Sequence, residues 1–206
     1  MLGAGSILAH ATTASVVCGS GFLEPPEGRL VAAEIVAVRG ELSARAVKVA
    51  GDVLLGDPLV LVDAFVTALP KRHRFGFVPH VTSVGRWRRL AGRDGHVIDP
   101  AWDPWRTIEA IAACEVVFSQ SLHGLIVADA LGIPNVWIAP GAEMRGGRFK
   151  FDDYFSTLDR GKPAIPEGRD LFAAPPAVDA EVGRYRFSKP KYLDALAAAC
   201  ERVARG

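Results

Sequence analysis

The sequence predicts an α/β protein with parallel sheets in two Rossmann-like lobes, the first incomplete. Three observations carry this expectation. Short apolar runs alternate with helix-period segments along the chain. The stretch EVVFSQSLHGLIVADALGIPNVWI, from Glu115 to Ile138, reads as a whole strand–helix–strand unit. Pro70 and the charges after it separate two groups of such elements, as a linker would. The expected division is residues 1–70, residues 71–160, and a loop with a C-terminal helix over 161–206.

Taken in order, Val16-Val17-Cys18 is a short buried strand and Gly19-Ser20-Gly21 the turn after it. Glu34 to Val38 is the next strand, followed by a helix from about Glu41 to Val49 that Gly51 terminates. Leu54 to Leu61 carries Gly-Asp-Pro and reads as a turn rather than regular structure. Phe75 to His80 opens the second lobe, and His96 to Asp99 is its next strand. Trp105 to Cys114 has helical period, with Ile108, Ile111 and Ala112 on one face. In the signature unit, Val116 to Phe118 is a strand, Leu122 to about Leu131 a helix, and Gly132 with Pro134 its stop. Asp152 to Leu158 suggests a short helix, and 161–176 is rich in Pro and Gly and reads as a loop. The terminal helix, Lys191 to Val203, is expected to turn Leu193, Leu196, Ala197 and Cys200 inward.

At 206 residues and 50% hydrophobic, the chain has enough apolar surface for one or two small domains. Its net charge of +1 gives no field pointing to nucleic acid or an anionic membrane. The basic clusters at Lys71–Arg74 and at Arg86, Arg88, Arg89 and Arg93 read first as solvated surface. Three widely spaced cysteines form no metal-type pair, so no metal is expected, and a reduced, cytoplasmic protein is the simpler reading. No apolar run is long enough to span a bilayer. The opening Met-Leu-Gly-Ala-Gly-Ser-Ile-Leu lacks a basic n-region and reads as a strand end without its strand, so a segment is expected upstream.

His123 falls on the first turn of a helix just past the carboxyl end of a buried strand. In open α/β sheets ligands sit there, where helix N–H groups meet an anion. A titratable imidazole in that place suits a general acid, against the alternative of a packing or capping histidine. Arg39 sits at a second strand-to-helix junction, where its planar fork suits a carboxylate or phosphate, or else a salt bridge. Gly19, Ser20 and Gly21 form either an anion-cradling loop or a simple tight turn. His80 follows a strand and Pro79, and either serves a cleft or packs. Asp57 and Asp152 suit a base, and equally a turn or helix cap.

Ser119, Ser121, Leu122, His123, Gly124, Gly132 and Pro134 together resemble the signature of the polysaccharide pyruvyltransferase family. The version here looks most like the branch acting on bacterial exopolysaccharide. The resemblance continues, in the family's order, through Gly19-Ser20-Gly21-Phe22, Val38-Arg39-Gly40 with Ser43, Leu55-Gly56-Asp57-Pro58, Val78-Pro79-His80 and Lys150 to Phe155. Ser121 stands where many members carry arginine, so Lys150, Arg145 and Arg148 are candidates for the missing charge.

The resemblance implies a glycosyltransferase-B-like fold. It also implies transfer of a pyruvyl group from phosphoenolpyruvate, as co-substrate and with no cofactor, to a hexose of a polysaccharide precursor, free or lipid-linked. On that reading His123 is the acid, and Arg39, His80, Ser119, Ser121, Leu122 and Gly124 bind the donor. Gly19, Ser20, Gly21, Asp57 and Lys150 are further candidates. Two rival readings stay open. One is a sugar-nucleotide glycosyltransferase of similar fold, with Glu143 as the acidic group near a ribose. The other is a non-catalytic remnant serving as an interaction module.

Overall fold

The computed structural model describes residues 1–27, 30, 32, 34–47, 53–66, 69–93, 95–142, 144–166, 170–173 and 180–205. Along the chain these form β1 (Val16–Cys18), β2 (Glu34–Val38), α1 (Glu41–Val47), β3 (Leu54–Leu55), β4 (His73–Val78), α2 (Val84–Ala91), β5 (His96–Val97) and α3 (Pro104–Ala112). They continue as β6 (Cys114–Ser119), α4 (Leu122–Ala130), β7 (Asn135–Ile138), α5 (Phe149–Phe155), β8 (Ala164–Ile165), α6 (Asp170–Ala173) and α7 (Lys189–Arg205). The strands pair in parallel throughout the two described sheets, as an α/β fold requires.

The chain folds into two compact units, Met1–Leu61 with Ala142–Gly161 and Arg184–Gly206, and Val62–Gly141 with Lys162–Gly183. The units are therefore not the contiguous stretches read from the sequence. The segment carrying α5 joins the first unit, and β8 joins the second.

In the first unit the sheet order is β1-β2-β3, packed on a core of Leu8, Val17, Phe22, Val38 and Val47. Leu54 and Leu55, expected as part of a turn, are a strand because they pair with Ala37 and Val38. Asp57 Oδ1 then accepts from Leu59 N at 3.0 Å and opens a short 3-10 segment, Pro58–Ala64. The expected end of α1 at Gly51 lies outside the described residues.

The terminal helix presents a face rotated from the expected one. Tyr192 and Ala199 are buried, whereas Leu193 and Cys200 are exposed. A polar tie sets this rotation: Tyr192 Oη donates to Gly56 O at 2.6 Å and lies 3.3 Å from Cys18 O. A buried hydroxyl must find such acceptors.

In the second unit the order is β5-β4-β6-β7-β8. The chain leaves β4 for β5 on one side and returns to β6 on the other, so the topological switch point lies between the carboxyl ends of β4 and β6. Phe77, Trp87, Val97, Phe118, Val136, Ile138 and Leu171 make the core. Helix α3 begins where Asp103 accepts from Trp105 N and Arg106 N at 3.0 and 3.1 Å, with Pro104 in the first turn. Ile108, Ile111 and Ala112 are buried as expected.

Sequence reading missed helix α2, and also β8 and α6, which lie within the stretch 161–176 expected as a loop; β8 forms because Ala164 and Ile165 pair with Trp137 and Ile138. VGRWRRLA registers first as a basic cluster, yet Val84 and Trp87, one turn apart, face inward while its arginines cover the outside. Gly132, at φ +67°, ends the α4 turn in the left-handed region that glycine adopts freely.

Candidate functional site

The second unit gathers His80, Ser119, Ser121, Leu122, His123 and Gly124 at the carboxyl ends of β4 and β6. Backbone bonds hold the corner. Gln120 N and Ser121 N both donate to Val78 O, at 2.8 and 3.3 Å. Ser119 Oγ donates to Ser121 O at 2.8 Å and accepts from Ser121 N at 3.1 Å. Ser119 is fully buried, so its hydroxyl shapes the turn rather than facing solvent.

Helix α4 then starts close against the sheet. A Cβ on Gly124 would sit 2.5 Å from Ser119 Oγ and 3.0 Å from Val78 Cγ1, so only glycine lets the helix start so near the strand. Ser121 is the N-cap residue and gives the helix no side-chain hydrogen bond. Leu122 turns its side chain inward, whereas His123 is exposed at the helix start. His80 is tied on one side, its Nδ1 sharing a hydrogen bond with Thr82 Oγ1 at 2.8 Å. Chemically this corner offers two imidazoles, a serine turn and the positive end of a nine-residue helix.

In the first unit the candidates have internal employment. Arg39 is fully buried, with Nε donating to Asp153 Oδ2 at 3.0 Å, Nη1 to Ser6 Oγ at 2.8 Å, and Nη2 to Phe22 O. Asp153 also accepts from Ser43 N at 2.9 Å and Ser43 Oγ at 2.6 Å. Of the two readings left open for Arg39, the structure shows the salt bridge: its fork meets a carboxylate of the chain's own, that of Asp153. Burial lowers the Arg39 pKa, and Asp153 acts in the opposite direction.

Gly21 and Gly40 make room for this clamp. A Cβ on Gly21 would lie 2.5 Å from the Arg39 guanidinium carbon, and one on Gly40 only 1.8 Å from Asp153 O. Gly19, at φ +115°, faces the Tyr192 hydroxyl and Pro58, and Ser20 is fully buried. The Gly-Ser-Gly turn is thus closely packed by the chain's own groups, as the tight-turn alternative expects. Asp57 is buried and caps its own turn.

Of the proposed replacement cations, Arg145 pairs with Glu24 at 2.7 Å and Arg148 with Asp152 at 3.1 Å. Lys150 is different. It is buried, no ion pair joins it to a carboxylate among the described residues, and burial followed by Arg39 lowers its pKa. Glu143 lies outside the described residues. No group of three or more potential metal-binding side chains exists among the described residues. No helix there is long and apolar enough to cross a membrane.

Sequence reading gave no role to Asp153 or, of its own, to Ser43. Asp153 sits in FKFDDYF, where an acid among inward-facing Phe151, Tyr154 and Phe155 signals a buried partner. Ser43 entered only through a family resemblance; Gln120, by residue type able to hydrogen-bond a phosphate or sugar, is instead fully buried. The first unit also holds a cavity of about 720 Å³ lined by Ser6, His10, Phe22, Glu24, Glu27 and Arg145 among others.

The family model described as polysaccharide pyruvyl transferase matches residues 29–141. The chain is 32% identical over 175 residues to the succinoglycan biosynthesis protein ExoV of Rhizobium meliloti (strain 1021), an alignment covering 77% of this chain and 53% of ExoV. It is 27% identical over 167 residues to the uncharacterized protein L143 of Acanthamoeba polyphaga mimivirus, covering 75% of this chain and 58% of that protein. The chain thus spans little more than half the length of these curated relatives. The match takes in the strand ends and helix start that carry the Ser-Leu-His-Gly corner, and on it the chain belongs to the polysaccharide pyruvyl transferase family.

Proposed function

We propose that the protein containing this chain transfers a pyruvyl group from phosphoenolpyruvate to two hydroxyls of a hexose in a polysaccharide precursor. The observation that carries this is the family match over the segment that builds the Ser-Leu-His-Gly corner. The fold is proposed to be of the glycosyltransferase-B-like type, and the protein to work in the cytoplasm on a free or lipid-linked saccharide, without a cofactor.

A proton adds to the methylene carbon of the donor, making the methyl group and leaving cation-like character on the neighbouring carbon. One sugar hydroxyl adds to that carbon and loses its proton. The second hydroxyl adds as the phosphate departs with the C–O bond electrons, and it too loses its proton. The products are a cyclic ketal and phosphate, with one proton left in the methyl group and one on phosphate or the medium.

His123 is assigned as the acid, because it stands exposed at a helix start beyond β6. The start of α4, with the Leu122 and Gly124 amides, His80 and Ser121, is assigned to the donor's anionic groups, with the buried Ser119 holding the turn that presents them. Lys150, a buried cation without a described acid partner, is assigned to an anionic substrate group.

A thermal-shift assay tests the reading. Phosphoenolpyruvate should raise the melting temperature and UDP should not. A shift with UDP alone would favour the glycosyltransferase reading, and no shift with either would favour a non-catalytic module.

A further inference from the structure

Three strand ends of the second unit meet around one buried side chain. Gln120, between the two serines that follow β6, is fully buried. Its Oε1 accepts from His80 N, in the segment after β4, at 3.4 Å. Its Nε2 donates to Ala139 O, immediately after β7, at 3.1 Å. Its own amide donates to Val78 O, the last residue of β4, at 2.8 Å.

The amide orientation follows from its partners. Turning it over would set an NH₂ against an N–H and an oxygen against a carbonyl. No shorter or charged side chain reproduces the pair. Asparagine falls one methylene short, and glutamate keeps the acceptor for His80 but opposes the Ala139 carbonyl with a second oxygen.

A buried amide is costly unless both ends are bonded, and a hydrophobic residue would suffice for filling space. What the amide adds is registration. The sheet's own ladder ends at Val78↔Ser119 and Ser119↔Trp137, so beyond that line the backbone pairing no longer fixes one loop against the next. The segment holding His80, the turn leading to His123 three residues on, and the segment after β7 are joined by Gln120.

We infer that Gln120 is the positioning residue of this corner: it sets the His80 backbone and the entry to α4 in one geometry while touching no substrate itself. The inference rests on the reading of this corner as the donor site only for its catalytic consequence. Displacement of about 1 Å in a reacting group costs on the order of 10²-fold in rate.

The test has one arm that is independent of substrate. Amide hydrogen exchange, read by NMR, is compared between the wild-type chain and Gln120→Met, an apolar replacement of similar length. Loss of a hydrogen bond of ordinary net strength corresponds to roughly tenfold. The His80 amide, which loses its acceptor, should exchange about tenfold faster, with unchanged protection in β6 and α4 interiors. Gln120→Glu, which keeps the acceptor, should restore His80 protection while the segment after β7 shifts.

In the active enzyme, Gln120→Met should lower kcat by roughly 10–100-fold with KM for phosphoenolpyruvate changed by only a few-fold. Unchanged exchange at His80 in a folded Gln120→Met protein overturns the inference, whatever the substrate proves to be. So does a loss of protection spread evenly over the second unit, which marks a residue that merely stabilises. Loosening at His80 in a protein that binds no phosphoenolpyruvate supports the positioning role and refutes the donor assignment instead.

Discussion

Replacing Asp153 with alanine removes the centre of the first unit's clamp. Both Asp153 and Arg39 have no exposed surface, and the carboxylate accepts from Arg39 Nε, Ser43 N and Ser43 Oγ. The variant leaves a buried guanidinium without its counter-charge, which costs about 3–5 kcal/mol. The orphaned Ser43 donors add roughly 1–2 kcal/mol. Against a domain stability of about 5–15 kcal/mol, a loss of about 4–7 kcal/mol brings the first unit close to unfolding.

Urea denaturation reads it, because at a slope of about 2 kcal/mol per molar the midpoint should fall by about 2–3.5 M. The two units separate spectroscopically. All four tryptophans, Trp87, Trp102, Trp105 and Trp137, lie in the second unit, and all three tyrosines, Tyr154, Tyr185 and Tyr192, in the first. Tyrosine absorbance should therefore record the shift, and the tryptophan transition should move less.

The double change Arg39→Met with Asp153→Leu removes both charges and should recover most of the loss, since matched apolar replacements of buried pairs are often neutral. A midpoint in Asp153→Ala within about 0.5 M of wild type, about 1 kcal/mol at that slope, would refute the reasoning. If donor affinity fell while the midpoint stayed put, Arg39 would be a ligand-binding residue after all.

His123→Ala should lower pyruvyl transfer by about 10²-fold or more while the melting temperature holds, because the side chain is exposed; an activity loss of only a few-fold refutes the acid assignment. Gly124→Ala should destabilise the second unit by about 1–3 kcal/mol in equilibrium unfolding, since its Cβ would press on Ser119 Oγ at 2.5 Å; a neutral effect would show that α4 shifts freely. Burial pushes the Cys18 thiol up to about 11 and the Cys114 thiol up to about 12, whereas Cys200 is exposed. Ellman's reagent at pH 8 should therefore find one fast thiol in the native chain and three in denaturant.

His96, stacked on His73 with ring centroids 3.6 Å apart, has its pKa lowered by burial and then by His73. With the folded value below the ordinary 6.5, the unfolded chain binds the extra proton first. The neutral ring's contribution is thus full above about pH 6.5 and is lost as the pH falls below it. An NMR titration of His96 with a midpoint at or above 6.5 would contradict this.

Local pattern in the sequence was enough for the parallel α/β class, the β6–α4–β7 unit and the Ser-Leu-His-Gly corner. A strand run, a helix start and a Gly-x-Pro stop are short-range signals that each residue carries with it. The inward face of α3 was legible for the same reason.

Tertiary structure alone decided the rest. Arg39 at a strand-to-helix junction looks the same whether its fork meets a ligand or Asp153, and the two residues stand 114 positions apart. The rotation of α7 follows from two carbonyls, Gly56 O and Cys18 O, that no helical pattern contains. Helix α2 hid behind its arginines because two buried residues carry its packing. The membership of the two units could not be read off either, because the chain leaves the first unit at Val62, returns at Ala142, and crosses again at Lys162 and Arg184. Periodicity reports which face of an element is buried, but the partner of a buried polar group is fixed only when distant segments close on it.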